Sequence, residues 1–453
     1  MTHRSPRPAP LVWALLALAC TPPGKGVVAL EGATLIDGSG GRPVADALIL
    51  VRDGKIEHVA RVNEVPIPRG AEVISLIGKT IIPGLIDAHA HLERWAAPRY
   101  LAWGVTTVRD FSAGLDSAMA LKADFNLGAV LGPRVFSAGG TIDGEPATAP
   151  GADAVATPDE ARHAVDARVV AGADLIQFDT KITSELLAAL MDEAKSLRLP
   201  VAAHVGKVDA LAAARAGVVS LEHLGGVVQA AARTPEVYVR AHDMFLVGWT
   251  TEESGWGSLD SAAIARTAQA LAATRVAVVP TLALHEIYSR LTDTAWRSRP
   301  WMRDVPADHV GIRDVAGFLA RAGWQAPDFA AFRRARPRQD QFVREFRRAG
   351  GLVAAGSDAG NLLLVPGAAL HDEMAQLVAA GLTPIEAITA ATRHGAQVLR
   401  ADSLGLIAPG KAADLVVLNS SPDSGIAATR DIMLVMVRGR LLRPDSLRAE
   451  WKQ

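Results

Sequence analysis

The sequence predicts an α/β fold in which a (β/α)8 TIM barrel carries a small β-sandwich built from both chain ends. Eight apolar, strand-like segments alternate with Ala-rich amphipathic stretches in the middle of the chain, as expected for parallel strands joined by helices. Short strands with turn signals occupy both ends of the chain, and their pattern differs from that of the middle. The eight segments are 81–88, 105–111, 134–138, 174–179, 200–205, 218–224, 276–282 and 352–357.

These patterns divide the chain of 453 residues into a leader and two structural parts. We assign residues 1–20 to a lipoprotein-type signal peptide and residues 83–403 to the barrel. We expect the sandwich to be formed by residues 21–82 together with residues 404–453. Strand-like runs such as Ala413-Asp-Leu-Val-Val-Leu418 support the second of these ranges.

The residues before Cys20 have the features of an export signal. Arg4 and Arg7 precede an apolar run that is too short to span a membrane, and Ala19 stands before Cys20. Cys20 lies where a bacterial lipoprotein signal places the residue to be acylated. We therefore expect an exported protein of the bacterial cell envelope or periplasm that is lipid-anchored at Cys20. Ordinary secretion with cleavage nearby is the alternative.

The composition excludes several classes of protein. Cys20 is the one cysteine of the chain, so disulfides within the chain are excluded and cysteine-ligated zinc is disfavoured. Lys+Arg 47 and Asp+Glu 48 give a formal net charge of −1, which provides no overall attraction to nucleic acid. We expect a small-molecule substrate, no nucleic-acid partner, and membrane contact only through Cys20. The sequence makes no prediction of the oligomeric state.

Two histidines at the end of the first barrel segment are candidate metal ligands. His89 and His91 follow an apolar approach and are separated by one residue, Ala90. Alternate side chains of a strand share a face, so both imidazoles can turn towards one ion. Neutral imidazole is a common ligand of Zn²⁺, Fe and Mn. An edge strand with two solvated histidines is the alternative interpretation.

Further candidates stand at the ends of later strands. His204 ends the fifth segment, His223 ends the sixth, and Asp358 follows the eighth. In a (β/α)8 barrel, the carboxyl ends of the strands meet at one face, which is where active sites lie. Together with His89 and His91, these residues predict a histidine-rich site that contains one carboxylate.

Several motifs resemble the amidohydrolase superfamily, and more narrowly its imidazolonepropionase-like and prolidase-like members. The motifs extend over nearly the whole chain beyond the leader. They are Pro83-Gly-Leu-Ile-Asp-Ala-His-Ala-His91, Gly172-Ala-Asp174, His204, Glu222-His223, Gly356-Ser-Asp-Ala-Gly360, Leu370-His-Asp-Glu-Met374 and Gly405-Leu-Ile-Ala-Pro-Gly-Lys-Ala-Ala-Asp-Leu415. The resemblance implies a metal-dependent hydrolase in which a metal-activated water attacks an amide-like carbonyl.

The chain departs from this pattern at Gln177. In the two-metal members closest to the pattern, a lysine at this place becomes carboxylated and bridges both ions. An amide cannot be carboxylated and is a poor bridging ligand. Asp179 and Lys181 lie further along the same strand, and either could replace the bridge only if the strand bulges.

We therefore expect one Zn²⁺ ion bound by His89, His91, His204 and Asp358; a second ion is the alternative. His223 is expected to be a hydrogen-bond donor to the substrate carbonyl or a weak ligand. Asp358 is expected to act as general base and then as general acid.

The resemblance favours cleavage of a C–N bond in a dipeptide, an N-acyl amino acid or a cyclic amide. A lactone or phosphotriester hydrolase is one alternative, because one barrel supports many chemistries. A non-catalytic envelope binding protein is the other, and Gln177 favours it. The Arg- and Trp-rich segment 285–350 is expected to form extra helices over one side of the barrel mouth, where it either contacts substrate or presents a solvated basic face.

Overall fold

The computed structural model describes residues 24–112 and 114–451. The proposed signal peptide and Cys20 lie outside the described residues, so export and lipid anchoring stay predictions. Among the described residues, we find no helix with the length and apolar character needed to cross a membrane.

The strands are β1 (Val27–Leu35), β2 (Val44–Arg52), β3 (Lys55–Arg61), β4 (Glu72–Ser75), β5 (Thr80–Pro83), β6 (Leu85–Ala90), β7 (Val105–Asp110), β8 (Arg134–Ser137), β9 (Thr141–Gly144), β10 (Asp153–Val155), β11 (Ile176–Phe178), β12 (Val201–Ala203), β13 (Ser220–Glu222), β14 (Ala277–Val279), β15 (Leu352–Val353), β16 (Leu415–Leu418), β17 (Ile432–Val437) and β18 (Arg440–Leu442).

The helices are α1 (Ala97–Ala102), α2 (Leu115–Asn126), α3 (Pro158–Ala171), α4 (Ser184–Ser196), α5 (Ala210–Ala216), α6 (Val227–Ala231), α7 (Glu236–Ala241), α8 (Phe245–Gly255), α9 (Ser261–Thr274), α10 (Leu282–Ser289), α11 (Val315–Ala322), α12 (Ala326–Arg348), α13 (Ala368–Ala379), α14 (Pro384–Thr389), α15 (Gly395–Val398) and α16 (Pro444–Glu450). A π-helical turn over Ala390–His394 joins α14 to α15.

The predicted barrel is confirmed. Parallel pairing runs through β6, β7 and β8, and through β11 to β15 in chain order. The third strand bends at Gly139 and Gly140, both with positive φ, and its continuation β9 pairs with β11. The Ala88 amide donates to the Ala355 carbonyl oxygen at 3.0 Å, which joins the first strand to the last. The carboxyl ends of the strands therefore converge on one mouth.

The sandwich from both chain ends is also confirmed. β5 pairs antiparallel with β16, so one sheet runs β18-β17-β16-β5-β1-β2-β3, with β4 beside β1. Apolar side chains from both ends share one core, including Leu30, Ile49, Leu415 and Met436. β5 and β16, at the centre of the sheet, are buried along their whole length, whereas β3, at its edge, fully buries only Ile56.

The segment predicted as one strand over 81–88 is divided at Gly84. Residues before it belong to the terminal sheet as β5, and residues after it begin the barrel as β6. A Cβ atom at Gly84 would lie 2.2 Å from Thr106 Oγ1, so the chain can pass this point only with glycine. The Pro83-Gly84 pair is a sequence signal for such a division, and the prediction of one strand over 81–88 did not use it.

The segment 285–350 forms the end of α10, short 3₁₀ turns, α11 and the 23-residue α12. Its aromatic residues point inwards: Tyr288 and Phe318 contact Trp324, which contacts Phe332. Arg336 is buried and pairs with Glu286 and Asp340. The helices cover one side of the mouth, and this central arginine is held by acidic partners inside the protein.

Candidate functional site

The two histidines of the first strand face a carboxylate from the eighth. His89 is 1% exposed, and its Nε2 lies 3.4 Å from Asp358 Oδ1. His91 Nε2 lies 3.0 Å from the same oxygen. The amide of Asp358 donates to the His89 carbonyl oxygen at 2.8 Å, so barrel closure itself brings the three side chains together.

The buried ion pair of Glu222 and Arg109 orients the His89 ring. His89 Nδ1 donates to Glu222 Oε2 at 2.8 Å, and Arg109 donates to Glu222 Oε1 at 2.8 Å. Burial raises the pKa of Glu222, but Arg109 and then His89 outweigh it and hold the pKa below its usual value. An ionised carboxylate behind a ring N–H fixes the tautomer and directs the other ring nitrogen into the site. His89 Nε2 is therefore directed towards Asp358.

The histidine–carboxylate contacts are reflected in the pKa values of the site. Burial lowers the pKa of His89, but hydrogen bonds to Asp358 and Glu222 outweigh it and raise the pKa to about 9. Burial raises the pKa of Asp358, yet the hydrogen bonds that it accepts from His89 and His91 hold the pKa well below its usual value. Asp358 is thus a buried carboxylate that stays ionised, which suits both ligation and proton acceptance.

Four residues at the mouth have a left-handed backbone conformation. The φ values are 58° at His223, 57° at Leu224, 46° at Thr281 and 56° at Asp358. Such conformations are uncommon outside glycine and cost free energy, particularly for the β-branched Thr281. The surrounding structure holds them, because the His223 amide donates to the Val279 carbonyl oxygen at 3.0 Å. Two of the four, His223 and Asp358, are predicted site residues.

His223 is held from two directions. Its Nδ1 lies 2.9 Å from Thr281 Oγ1, and its backbone carbonyl accepts from His285 Nε2 at 3.0 Å. His285 Nδ1 lies 2.8 Å from Glu253 Oε2, and Gln339 Nε2 donates to Glu253. Burial, followed by the charge of His89, holds the pKa of His223 well below its usual value. His223 is therefore neutral.

His204 has a different carboxylate partner. Its Nδ1 lies 3.1 Å from Asp179 Oδ1, and its ring centroid lies 4.6 Å from that of His223. Gln177, at the place of the family's bridging lysine, accepts a hydrogen bond from Thr141 Oγ1 at 2.9 Å. Asp179 therefore borders the cavity next to His204, whereas the histidines of the first strand contact Asp358.

Three of the predicted residues supply ligand atoms that lie within 4.8 Å of one another: His89, His223 and Asp358. His91 contacts Asp358 beside them, and His204 lies outside this group, against Asp179. The sequence predicted His204 as a ligand and His223 as a donor to the substrate or a weak ligand, and both roles stay predictions. Imidazole nitrogens and a carboxylate oxygen form a donor set that suits Zn²⁺, Mn²⁺ or Fe²⁺. The residues present thus fit a divalent metal ion.

Sequence reasoning missed the supporting residues of the site. Arg109, Thr281 and Glu253 carry no motif, and their contacts form between segments far apart in the chain. Glu222 stood next to His223 in a quoted motif, but nothing in the sequence indicated that it contacts His89.

A cavity of about 290 Å³ opens over these residues. Its lining comprises His89, His91, Phe111, Thr141, Thr148, Ala149, Gln177, Asp179, His204, His223, Phe245, Leu246, Trp249, Leu284, Tyr288, Phe318, Asp358 and Asn361. A larger cavity of about 810 Å³, between Arg99, Trp301 and Trp451, shares no lining residue with it. The histidines and Asp358 mark the smaller cavity as the site of chemistry.

Comparisons with known proteins agree with this geometry. A sequence model described as "Amidohydrolase family" matches residues 80–442. An imidazolonepropionase from Idiomarina loihiensis is 40% identical over 70 residues, which cover 16% of this chain and 17% of that protein. The chain therefore aligns with less than a fifth of that relative's length.

Solved structures match over nearly the full chain. A Bifidobacterium longum protein assigned as a prolidase is 25% identical, with a TM-score of 0.70, and the match covers 94% of this chain and 99% of that one. A bottromycin amidohydrolase is 24% identical, with a TM-score of 0.73 and coverage of 99% and 93%. A Xaa-Pro dipeptidase crystallised with methionine in its active site is 22% identical, with a TM-score of 0.67 and coverage of 92% and 100%.

Proposed function

The chain belongs to the amidohydrolase family, a class of hydrolases that act on carbon–nitrogen bonds, and we propose that it cleaves an amide with the help of a divalent metal ion. Zn²⁺ is the ion that we propose, and one ion per chain is the stoichiometry. The observation that carries this proposal is the convergence of His89, His223 and Asp358, with His91 beside them, at the barrel mouth.

A divalent ion, when bound, would activate water for attack and polarise the scissile carbonyl. His89 and His91 would hold it through their Nε2 atoms, because both of these atoms face Asp358. The Glu222 carboxylate would keep the His89 ring in the orientation and tautomer that ligation requires.

Asp358 is suited to move the proton of the attacking water. It is ionised and buried at the centre of the cluster, so it can accept a proton and then deliver it to the leaving nitrogen. His223 is neutral and has Thr281 at Nδ1, which leaves Nε2 for the cavity. If Thr281 donates to Nδ1, the Nε2–H of His223 can donate to the substrate oxygen; if Nδ1–H donates to Thr281, Nε2 can ligate the ion.

A non-catalytic binding protein is the second candidate, and Gln177 favours it. Its side chain is buried and accepts from Thr141, so it supplies no bridging group. A lactone or phosphotriester hydrolase would use the same site, and substrate panels separate it from an amide hydrolase.

Metal content and turnover of three proteins test the proposal: wild type, Asp358→Asn and Gln177→Lys. We expect about one Zn²⁺ per wild-type chain. Asp358→Asn should keep most of its metal but lose turnover by about 10²–10⁴-fold, since general acid–base catalysis contributes this much. Retained turnover in Asp358→Asn would refute the assigned role. Two ions in the wild type would show that another residue replaces the bridge, and none would favour the binding protein.

A further inference from the structure

The ionisable groups that line the cavity do not favour a negatively charged substrate group. Among the described residues of the lining, the ionisable side chains are four histidines, two aspartates and Tyr288, with no lysine or arginine. Lys181, near the mouth, donates its Nζ to the Pro146 carbonyl oxygen, and Lys207 pairs with Asp243. When the proposed ion is engaged by Asp358 and the scissile carbonyl, a free carboxylate elsewhere on the substrate would leave water without gaining a guanidinium or ammonium partner, which is costly.

One wall of the cavity is aromatic and belongs to the covering helices. Trp249 of α8, Tyr288 of α10 and Phe318 of α11 follow one another, with ring centroids 5.9 Å and 5.2 Å apart. Trp249 lies 6.2 Å from the ring of His223, so the wall starts at the metal-binding cluster. A substrate group that packs here would be aromatic or branched and apolar.

The aromatic wall also carries a neutral hydrogen-bond donor. Trp249 Nε1 is a buried atom without a hydrogen-bond partner in the described structure. Trp249 as a whole is 9% exposed. Buried donors of this kind are rare unless a ligand or water completes them. An amide carbonyl oxygen is an acceptor for the Trp249 N–H.

We propose that this pocket selects an uncharged amide with an aromatic or branched apolar group and discriminates against substrates that carry a free carboxylate. Unblocked dipeptides and N-acyl amino acids are therefore poor substrates, and blocked or cyclic amides are good ones. The turnover that this inference predicts rests on the proposed amide hydrolysis. The predicted difference in binding does not, because binding can be measured without turnover. The cavity of about 290 Å³ limits the substrate to a small molecule rather than a long peptide.

Two compounds that share the scissile bond test the proposal. N-phenylacetylglycine and N-isobutyl-phenylacetamide release the same phenylacetate and have similar shapes, but only the first carries a carboxylate. With the metal-loaded enzyme, we expect kcat/KM for the neutral amide to exceed that for the acid by at least about tenfold. An equal value, or a preference for the acid, would overturn the inference.

Binding separates this inference from the proposed function. Asp358→Asn protein is titrated with each compound, and thermal unfolding and Trp fluorescence are followed. If neither compound is hydrolysed by the wild type but the neutral amide binds more tightly, the hydrolase proposal fails and the selectivity stands. If the acid binds as tightly as the amide, or neither binds at millimolar concentration, the selectivity is refuted.

Two variants at Thr148 test whether the lack of a lysine or arginine in the lining causes the preference for the neutral amide. Thr148 lies on the partly exposed loop at the cavity, so Thr148→Lys adds a cation and Thr148→Met adds similar length without charge. We expect Thr148→Lys to narrow the preference for the neutral amide by about fivefold or more, whereas Thr148→Met leaves the ratio near that of the wild type. Equal ratios in the two variants would show that the missing cation does not set the selectivity.

Discussion

Replacing Glu222 with glutamine tests the support beneath the metal-binding cluster. Glu222 and Arg109 are both 0% exposed, and the carboxylate accepts from Arg109 at 2.8 Å, from Ser220 at 2.6 Å and from His89 at 2.8 Å. Glutamine keeps the shape of the side chain but removes the charge that compensates the buried guanidinium. Breaking a buried ion pair from one side typically costs about 3–5 kcal/mol.

We expect Glu222→Gln to lower the free energy of unfolding by roughly this amount, which is a large part of the 5–15 kcal/mol typical of a folded domain. Chemical unfolding of Glu222→Gln, Arg109→Met and the double variant measures it. Arg109→Met removes the stranded cation, so the double variant should cost less than the sum of the single variants. A Glu222→Gln cost below about 1 kcal/mol, or additive costs, would refute the argument that the pair is a coupled unit.

Glu222→Gln should also change how the free energy of unfolding depends on pH in the acid range. The folded-state pKa of Glu222 lies below its usual value of 4.5, so its stabilisation is present above that value and is lost as the pH falls through the folded-state pKa. The destabilisation by Glu222→Gln should therefore be larger at pH 7 than at pH 3. Because a carboxylate behind a ligating histidine supports metal affinity, Zn²⁺ should also bind about 10–100-fold more weakly.

Two further predictions concern Thr281 and His371. Thr281→Val removes the hydroxyl 2.9 Å from His223 Nδ1 and keeps the β-branched shape, so kcat/KM should fall about tenfold with little change in melting temperature, while Thr281→Ser keeps the hydroxyl and the activity. A Thr281→Val enzyme as active as Thr281→Ser would contradict this role. His371 is buried, with Thr429 at Nδ1 and the Trp103 carbonyl at Nε2, and burial followed by the charge of Arg430 lowers its pKa from 6.5 to about 3. The unfolded chain then binds the extra proton, so His371 should cost the wild type about 2.3 kcal/mol between pH 6.5 and 4.5; His371→Gln should show a flatter acid limb, and an unchanged slope would refute the assignment.

The sequence could predict the barrel because each strand carries its own signal. Apolar segments with helical spacers identify parallel strands without knowledge of their partners, and the end of each strand marks the mouth. The position of His89 and His91 on one face follows from the two-residue repeat of a strand. These inferences need only local pattern together with the rule that barrel strands end at one face.

Contacts between strands could not be predicted in the same way. The pairing of Glu222 with Arg109 and His89 joins three strands, and it depends on the stagger of strands in the closed barrel. The division at Gly84 depends on the approach of Thr106 from the next strand. Glu222 and Arg109 are ordinary residues in the sequence, and only the three-dimensional register makes their pairing necessary. Pro83-Gly84 does carry a turn signal, but the close approach of Thr106 that requires glycine there depends on the same register.

Gln177 and Asp179 show how such a contact bears on the number of ions. A bridged pair of ions needs an anionic group between the histidines of the first strand and those of the fifth and sixth. Gln177 supplies a neutral amide that already accepts from Thr141, and Asp179 faces His204 at 3.1 Å rather than Asp358. Asp358 thus contacts His89 and His91 on one side of the mouth, and Asp179 contacts His204 on the other. Asp179 occupies His204 Nδ1, so a second ion would have to bind through His204 Nε2 without a bridging anion, which favours the one-ion site that we propose.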